Sequence, residues 1–150
     1  MISHFRDKNS RRVFLCTSAA MGLSLGCASG SGSEPEAFGS VAAGNVSTLP
    51  VGTLRAVAGA PVIVGRDASG LYAMTSTCTH EGCDMAADGQ IGSNGVFCGC
   101  HGSRFDANGG VLQGPANAPL VHFAVSVDAA GNVTVDGSAK VAASTRTAVA

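Results

Sequence analysis

The chain has 150 residues, 45% of them hydrophobic and 13% charged, which is enough for one domain with a real core and too little for two. Its 21 glycines are about twice average usage, so short strands and tight turns are expected rather than long helices. The net charge of −1 divides unevenly: residues 1–27 carry Arg6, Lys8, Arg11 and Arg12 against Asp7, while the remainder has five basic and nine acidic side chains. A mildly acidic body without basic clusters gives no electrostatic support for nucleic-acid binding.

In residues 10–30, SRRVFLCTSAAMGLSLGCASG, an arginine pair precedes a modestly apolar run rich in small residues, the layout of an export signal. Ser10, Arg11, Arg12, Phe14 and Leu15 resemble the twin-arginine pattern, which implies export of an already folded protein to the periplasmic side, soluble or attached to the membrane. The apolar run from Val13 to Ala28 is short of the roughly 20 residues that a confident membrane span needs, but an uncleaved anchor stays open. Cys27 follows Gly26 as at a lipoprotein processing site, although Ser24 stands where leucine is usual. It is a candidate lipidation site, the alternative being a spare cysteine in a discarded peptide. Residues 28–45 read as a Gly/Ser-rich linker.

From Val46 the texture becomes β-rich. Strands are expected around 60–65, 70–76, 95–99, 119–128 and 132–137. In LVHFAVSV, Val121, Phe123, Val125 and Val127 share one face and His122, Ala124 and Ser126 the other, which reads His122 as a surface histidine with no role. The AAGN stretch between Asp128 and Val133 reads as a hairpin turn. The expectation is an antiparallel, all-β domain over 46–137 without a helix of consequence and without an internal repeat. Residues 138–150 form a tail that is either a last strand or disordered. NVS at 45 and NVT at 132 match the glycosylation triplet, a weak motif beside a bacterial-type signal.

The chemistry lies in two boxes, CTHEGC at 78–83 and CGCHGS at 98–103. As ligands they offer Cys78 and His80, then Cys98 and His101, with Cys83 and Cys100 over. A Cys2His2 zinc site and a plain disulfide scaffold are both open at this level. The two boxes together resemble the Rieske iron-sulfur family over roughly residues 46–136. That resemblance implies an antiparallel β-sandwich with a two-loop cluster-binding subdomain. It implies a [2Fe-2S] cluster with Cys78 and Cys98 at one iron and His80 and His101 at the other. Two ferric ions, two sulfides and two thiolates sum to zero charge, and histidine ligation raises the potential to about −150 to +300 mV against about −400 mV for plant-type ferredoxins.

The resemblance further implies that Cys83 and Cys100 form a disulfide, as in the high-potential branch of the family. An exported chain would permit it, and closing a 17-residue loop would stabilise by about 3 kcal/mol. With Cys16 in the signal and Cys27 at the processing site, four cysteines are left: two ligands and one pair. Ser103 matches the family serine whose hydroxyl donates to a cluster sulfide. Phe105 stands where the highest-potential members have tyrosine, which argues for an intermediate potential. Gly114-Pro115-Ala116 resembles the family's proline loop.

The function so implied is one-electron transfer in an exported or membrane-attached chain, with no catalytic site in this chain alone. The partner would be a redox protein such as a c-type cytochrome, or a larger oxidoreductase subunit. One alternative is the Rieske subunit of a cytochrome bc-type complex, in which exposed ligand histidines receive quinol; Glu81, where leucine is usual, and the weak anchor count against it. Another is the small subunit of an arsenite-oxidase-like molybdenum enzyme, and a third is a metal-storing lipoprotein with no redox partner.

Overall fold

The computed structural model describes residues 35–149; Arg11, Arg12 and Cys27, with the export and lipidation readings that rest on them, lie outside the described residues. Among the described residues, ten strands form two antiparallel sheets. β1 (Ser40–Asn45), β2 (Leu54–Ala56), β3 (Val62–Asp67), β4 (Gly70–Thr75), β9 (His122–Val127) and β10 (Asn132–Val141) make a six-stranded sheet in the order β1-β10-β9-β4-β3-β2. β5 (Gly89–Gly92), β6 (Gly95–Cys98), β7 (Arg104–Phe105) and β8 (Val111–Gln113) make a four-stranded sheet in chain order. The one α-helix among the described residues is a single turn, α1 (Met85–Asp88).

The six-stranded sheet is covered on both faces at its centre. Leu71 and Ala73 of β4 join Val62, Val64, Phe123, Val133 and Val135 in one core. Tyr72 and Met74 join Ile63, Leu120, Val96 and Phe105 in a second core, between that sheet and the four-stranded one. This is why β3 and β4 read as nearly continuous apolar runs: neither face can be left polar. Bulges between Ala42 and Gly44 in β1 and between Asp136 and Lys140 in β10 bend the sheet's far edge. The AAGN turn forms as expected, with Gly131 in the left-handed region and its N–H donating to the Asp128 carbonyl.

Two expectations are corrected, and of the two readings of the tail the ordered one holds. His122 is not a surface residue but 3% exposed. It lies opposite Met74 in the β4–β9 register, so its side chain points into the second core beside Tyr72. β9 alternates as its sequence predicts, but the face that carries His122 is covered there by the second layer. β1 occupies 40–45, inside the stretch read as linker, and pairs along β10; its SVAAGN sequence is small and weakly patterned, so its neighbour rather than its composition makes it a strand. The tail is ordered: β10 runs on to Val141, and Thr147 then returns to exchange backbone hydrogen bonds with Leu71. No helix among the described residues is long and apolar enough to cross a membrane.

Candidate metal centre

Both boxes form the same six-residue loop. In the first, the Cys78 N–H donates to the Cys83 carbonyl at 2.8 Å and the Gly82 N–H to the Cys78 carbonyl at 2.9 Å. In the second, the Cys98 N–H donates to the Ser103 carbonyl at 2.9 Å and the Gly102 N–H to the Cys98 carbonyl at 3.0 Å. Gly82 and Gly102, fifth in each loop, take φ of 75° and 83°, a conformation that side chains avoid. A repeat is thus present where none was expected. Its signal was a shared cysteine at position one and glycine at position five, too sparse to read without the backbone.

The loops start from different supports. The first leaves β4 through Ser76, whose carbonyl accepts the Met85 N–H and whose hydroxyl donates to Asp84 at 3.1 Å; the same Asp84 oxygen caps α1 at the Ala86 N–H. The second joins β6 to β7 and presses on α1: a Cβ on Gly99 would stand 1.9 Å from the Asp88 carbonyl. A third loop, Gly114–Ala118, with a cis bond before Pro115, is tied to both. Thr79 donates to the Ala118 carbonyl at 2.6 Å, and the Ala116 N–H donates to the Ser103 hydroxyl at 3.0 Å.

Cys83 and Cys100 form a disulfide joining the first two loops. Cys78 and Cys98 are free thiols, each 1% exposed. Burial pushes the Cys78 thiol up, with Cys98 and Ser103 both within hydrogen-bond reach of it. The His80 and His101 rings meet edge to face, centroids 5.0 Å apart. His80 Nδ1 is buried and has no hydrogen-bond partner, whereas His101 Nε2 is on the outer side, 3.5 Å from Glu81 Oε2. Phe105 is buried in the core beneath the loops.

A buried imidazole nitrogen with no hydrogen-bond partner is costly on its own and is relieved by a cation that takes a neutral imidazole; the two dry thiols, which cost little as neutral groups, supply thiolates to such a cation. The residues present fit a metal group. Cys83 and Cys100 are closed to it by their mutual bond, and Glu81, the charge that stands where leucine is usual, comes up against a histidine of the set.

Comparison with known proteins bears on which group that is. Residues 39–126 match the family model described as the Rieske [2Fe-2S] domain. Among curated proteins, the cytochrome b6-f complex iron-sulfur subunit of Synechococcus sp. (strain WH7803) is 39% identical over 58% of this chain and 51% of its own length. That of Prochlorococcus marinus (strain MIT 9211) is 34% identical over 72% of this chain and 65% of its own. The matched stretch therefore spans about half to two thirds of these relatives. Among solved structures, a complex of reduced oxygenase and oxidized ferredoxin in carbazole 1,9a-dioxygenase is similar at TM-score 0.52 and 30% identity, covering 69% of this chain and 97% of that one. The cyanobacterial plasma membrane Rieske protein from Synechocystis PCC 6803 is similar at TM-score 0.51 and 29% identity, over 64% and 98%.

Proposed function

The chain belongs to the Rieske [2Fe-2S] domain family, and on that premise we propose that it is a one-electron carrier whose cluster is held by Cys78 and Cys98 at one iron and His80 and His101 at the other. The observation that carries this ligand set is the pairing of two buried free thiols with a buried, partnerless His80 Nδ1 under a shared cover of three loops. A cluster of this type supplies a one-electron couple at about −150 to +300 mV.

The chain's own residues set its use. The Cys78 and Cys98 sides are dry, so the thiolate end is insulated; the histidine end is toward solvent, with the His101 side chain 45% exposed, so electrons enter and leave there. The Cys83–Cys100 disulfide holds the two ligand loops at a fixed separation. Such preorganisation limits rearrangement between oxidation states. The Ser103 hydroxyl stands by the Cys78 sulfur as a donor that favours the more negative, reduced state. The disulfide supports a place in the high-potential branch, and Phe105, which offers no hydroxyl, supports an intermediate potential within it.

The twin-arginine pattern supports export to the periplasmic side, with Cys27 as an attachment point for lipid. There the partner is a redox protein such as a c-type cytochrome or a larger oxidoreductase subunit. A second reading, a subunit of a cytochrome bc-type complex, is favoured by the named relatives, which are iron-sulfur subunits of cytochrome b6-f complexes.

Electron paramagnetic resonance of the purified protein, first with ascorbate and then with dithionite, tests the central claim. A rhombic signal with average g below the free-electron value, present with ascorbate, is expected. A signal with dithionite only would remove the high-potential assignment, and no signal with zinc by elemental analysis would overturn the reading.

A further inference from the structure

Glu81 occupies the fourth position of the first loop, the position that His101 occupies in the second, and the shared backbone pattern brings the two side chains together at the outer end of the site. Its carboxylate lies 3.5 Å from His101 Nε2, with the glutamate side chain 62% exposed. The other nearby acids are differently employed. Asp84 is turned onto Ser76 and the Ala86 N–H, and Asp106 accepts from the N–H groups of Asn108 and Gly110. Asp88 is exposed at the end of α1. Between residues 77 and 120 the charged side chains are these four acids and Arg104, and Arg104 lies over the Phe97 ring of the four-stranded sheet.

We propose that Glu81 is a specificity-determining residue of the electron-transfer face: its carboxylate stands on the outward nitrogen of His101, where a small neutral reductant would have to bind, and offers fixed negative charge to a partner protein docking through a lysine- or arginine-rich surface. The inference rests on the electron-transfer reading above and names the partner's chemistry. A charge in contact with the exit ligand acts at the shortest distance open to a docking partner, where Coulomb work is largest and least screened. Complementary charge at that place selects partners and sets the association rate.

The test is stopped-flow oxidation of the reduced full-length protein by two small probes of opposite sign, ferricyanide and tris(phenanthroline)cobalt(III). In each case one electron leaves the protein, giving ferrocyanide or the cobalt(II) complex, and no bond or proton is exchanged with the probe. At about 10 mM ionic strength, E81Q should raise the ferricyanide rate relative to the cobalt rate by on the order of tenfold, and the change should collapse near 500 mM. The ratio cancels any change of driving force in the protein, since both probes draw on the same potential. The midpoint potential at fixed pH, read by voltammetry, should rise in E81Q.

D88N removes a charge of the same sign that is not in contact with His101 and should change the ratio much less. An unchanged ratio in E81Q, or an equal change in D88N, overturns the assignment. A wild-type protein with no reducible cluster would overturn the electron-transfer reading itself, a result distinct from either.

Discussion

The Ser103 hydroxyl accepts the Ala116 N–H at 3.0 Å, so its own proton is left free for the Cys78 sulfur, which is within reach. Ser103→Ala removes both interactions. The midpoint potential should fall, because a donor to the more negative state is lost, and stability should drop by about 1–3 kcal/mol in urea titration, because the buried Ala116 N–H is left unpaired. Phe105→Tyr should raise the midpoint by adding a donor at the floor of the site; unchanged voltammograms for both variants would remove these residues from the tuning of the cluster. His122 makes a different prediction. Burial holds its pKa below 6.5, with a smaller opposing contribution from the Leu120 carbonyl near Nδ1 and with Arg146, Asp106 and Tyr72 facing the ring. The folded state therefore keeps His122 neutral, and the unfolded chain takes up its proton first as the pH falls. The stability that neutrality contributes is full above pH 6.5 and is lost progressively below it. Urea titrations between pH 7.5 and 5 should show that decline in the wild type and a shallower one in His122→Leu; parallel curves would show that another group governs it.

At the scale of elements, the two ligand loops share a hydrogen-bond pattern but not a tolerance for side chains. The second position holds Thr79 in one loop, buried and bonded to the Ala118 carbonyl, and Gly99 in the other, backed against the Asp88 carbonyl at the end of α1. Gly99 needs no left-handed backbone; it is there because nothing larger fits. Gly99→Ala should push the second loop off α1, costing about 1–3 kcal/mol and lowering iron content per chain. Gly92→Ala, where a Cβ meets nothing within 4 Å, is the control that should leave both unchanged. Equal iron content in the two variants would mean that the loop has slack the packing does not suggest. The candidate ligands proposed for the loops were legible in the sequence because cysteine and histidine at fixed spacing are chemically distinctive. The pressure on Gly99 was not, because it comes from Asp88, eleven residues upstream, through a helix of one turn.

At the scale of the whole molecule, the sequence made legible what short-range pattern controls: the all-β class, the strands at β3, β4, β6, β9 and β10, and the hairpin at Asp128–Val133. It did not make legible what depends on a distant neighbour. β1 and β2 are strands because β10 and β3 lie beside them, β5, β7 and β8 because the ligand loops fold the chain back on β6, and His122 is buried because a second layer covers its face. The tail is the extreme case. Arg146 reaches three parts of the chain at once: Asp67 Oδ2 at 2.6 Å, Asn108 Oδ1 at 2.8 Å, and the Tyr72 ring with its guanidinium 4.2 Å from the centroid. Tyr72 in turn donates to the Ala107 carbonyl, so the clamp joins the β3–β4 hairpin to the segment that leads into β8 and the third site loop. A planar fork can stack and bond in this way and an ammonium cannot. Arg146→Ala should therefore cost about 2–3 kcal/mol in urea titration, the ring stacking, the bond to Asn108 and the part-buried ion pair with Asp67 being lost together. Arg146→Lys should recover only a minor part. Both variants should keep the cluster's paramagnetic signal, since the clamp lies behind the ligand loops and not in them. A loss below about 0.5 kcal/mol, the ordinary scatter of surface substitutions, would show instead that the tail merely rests on the domain.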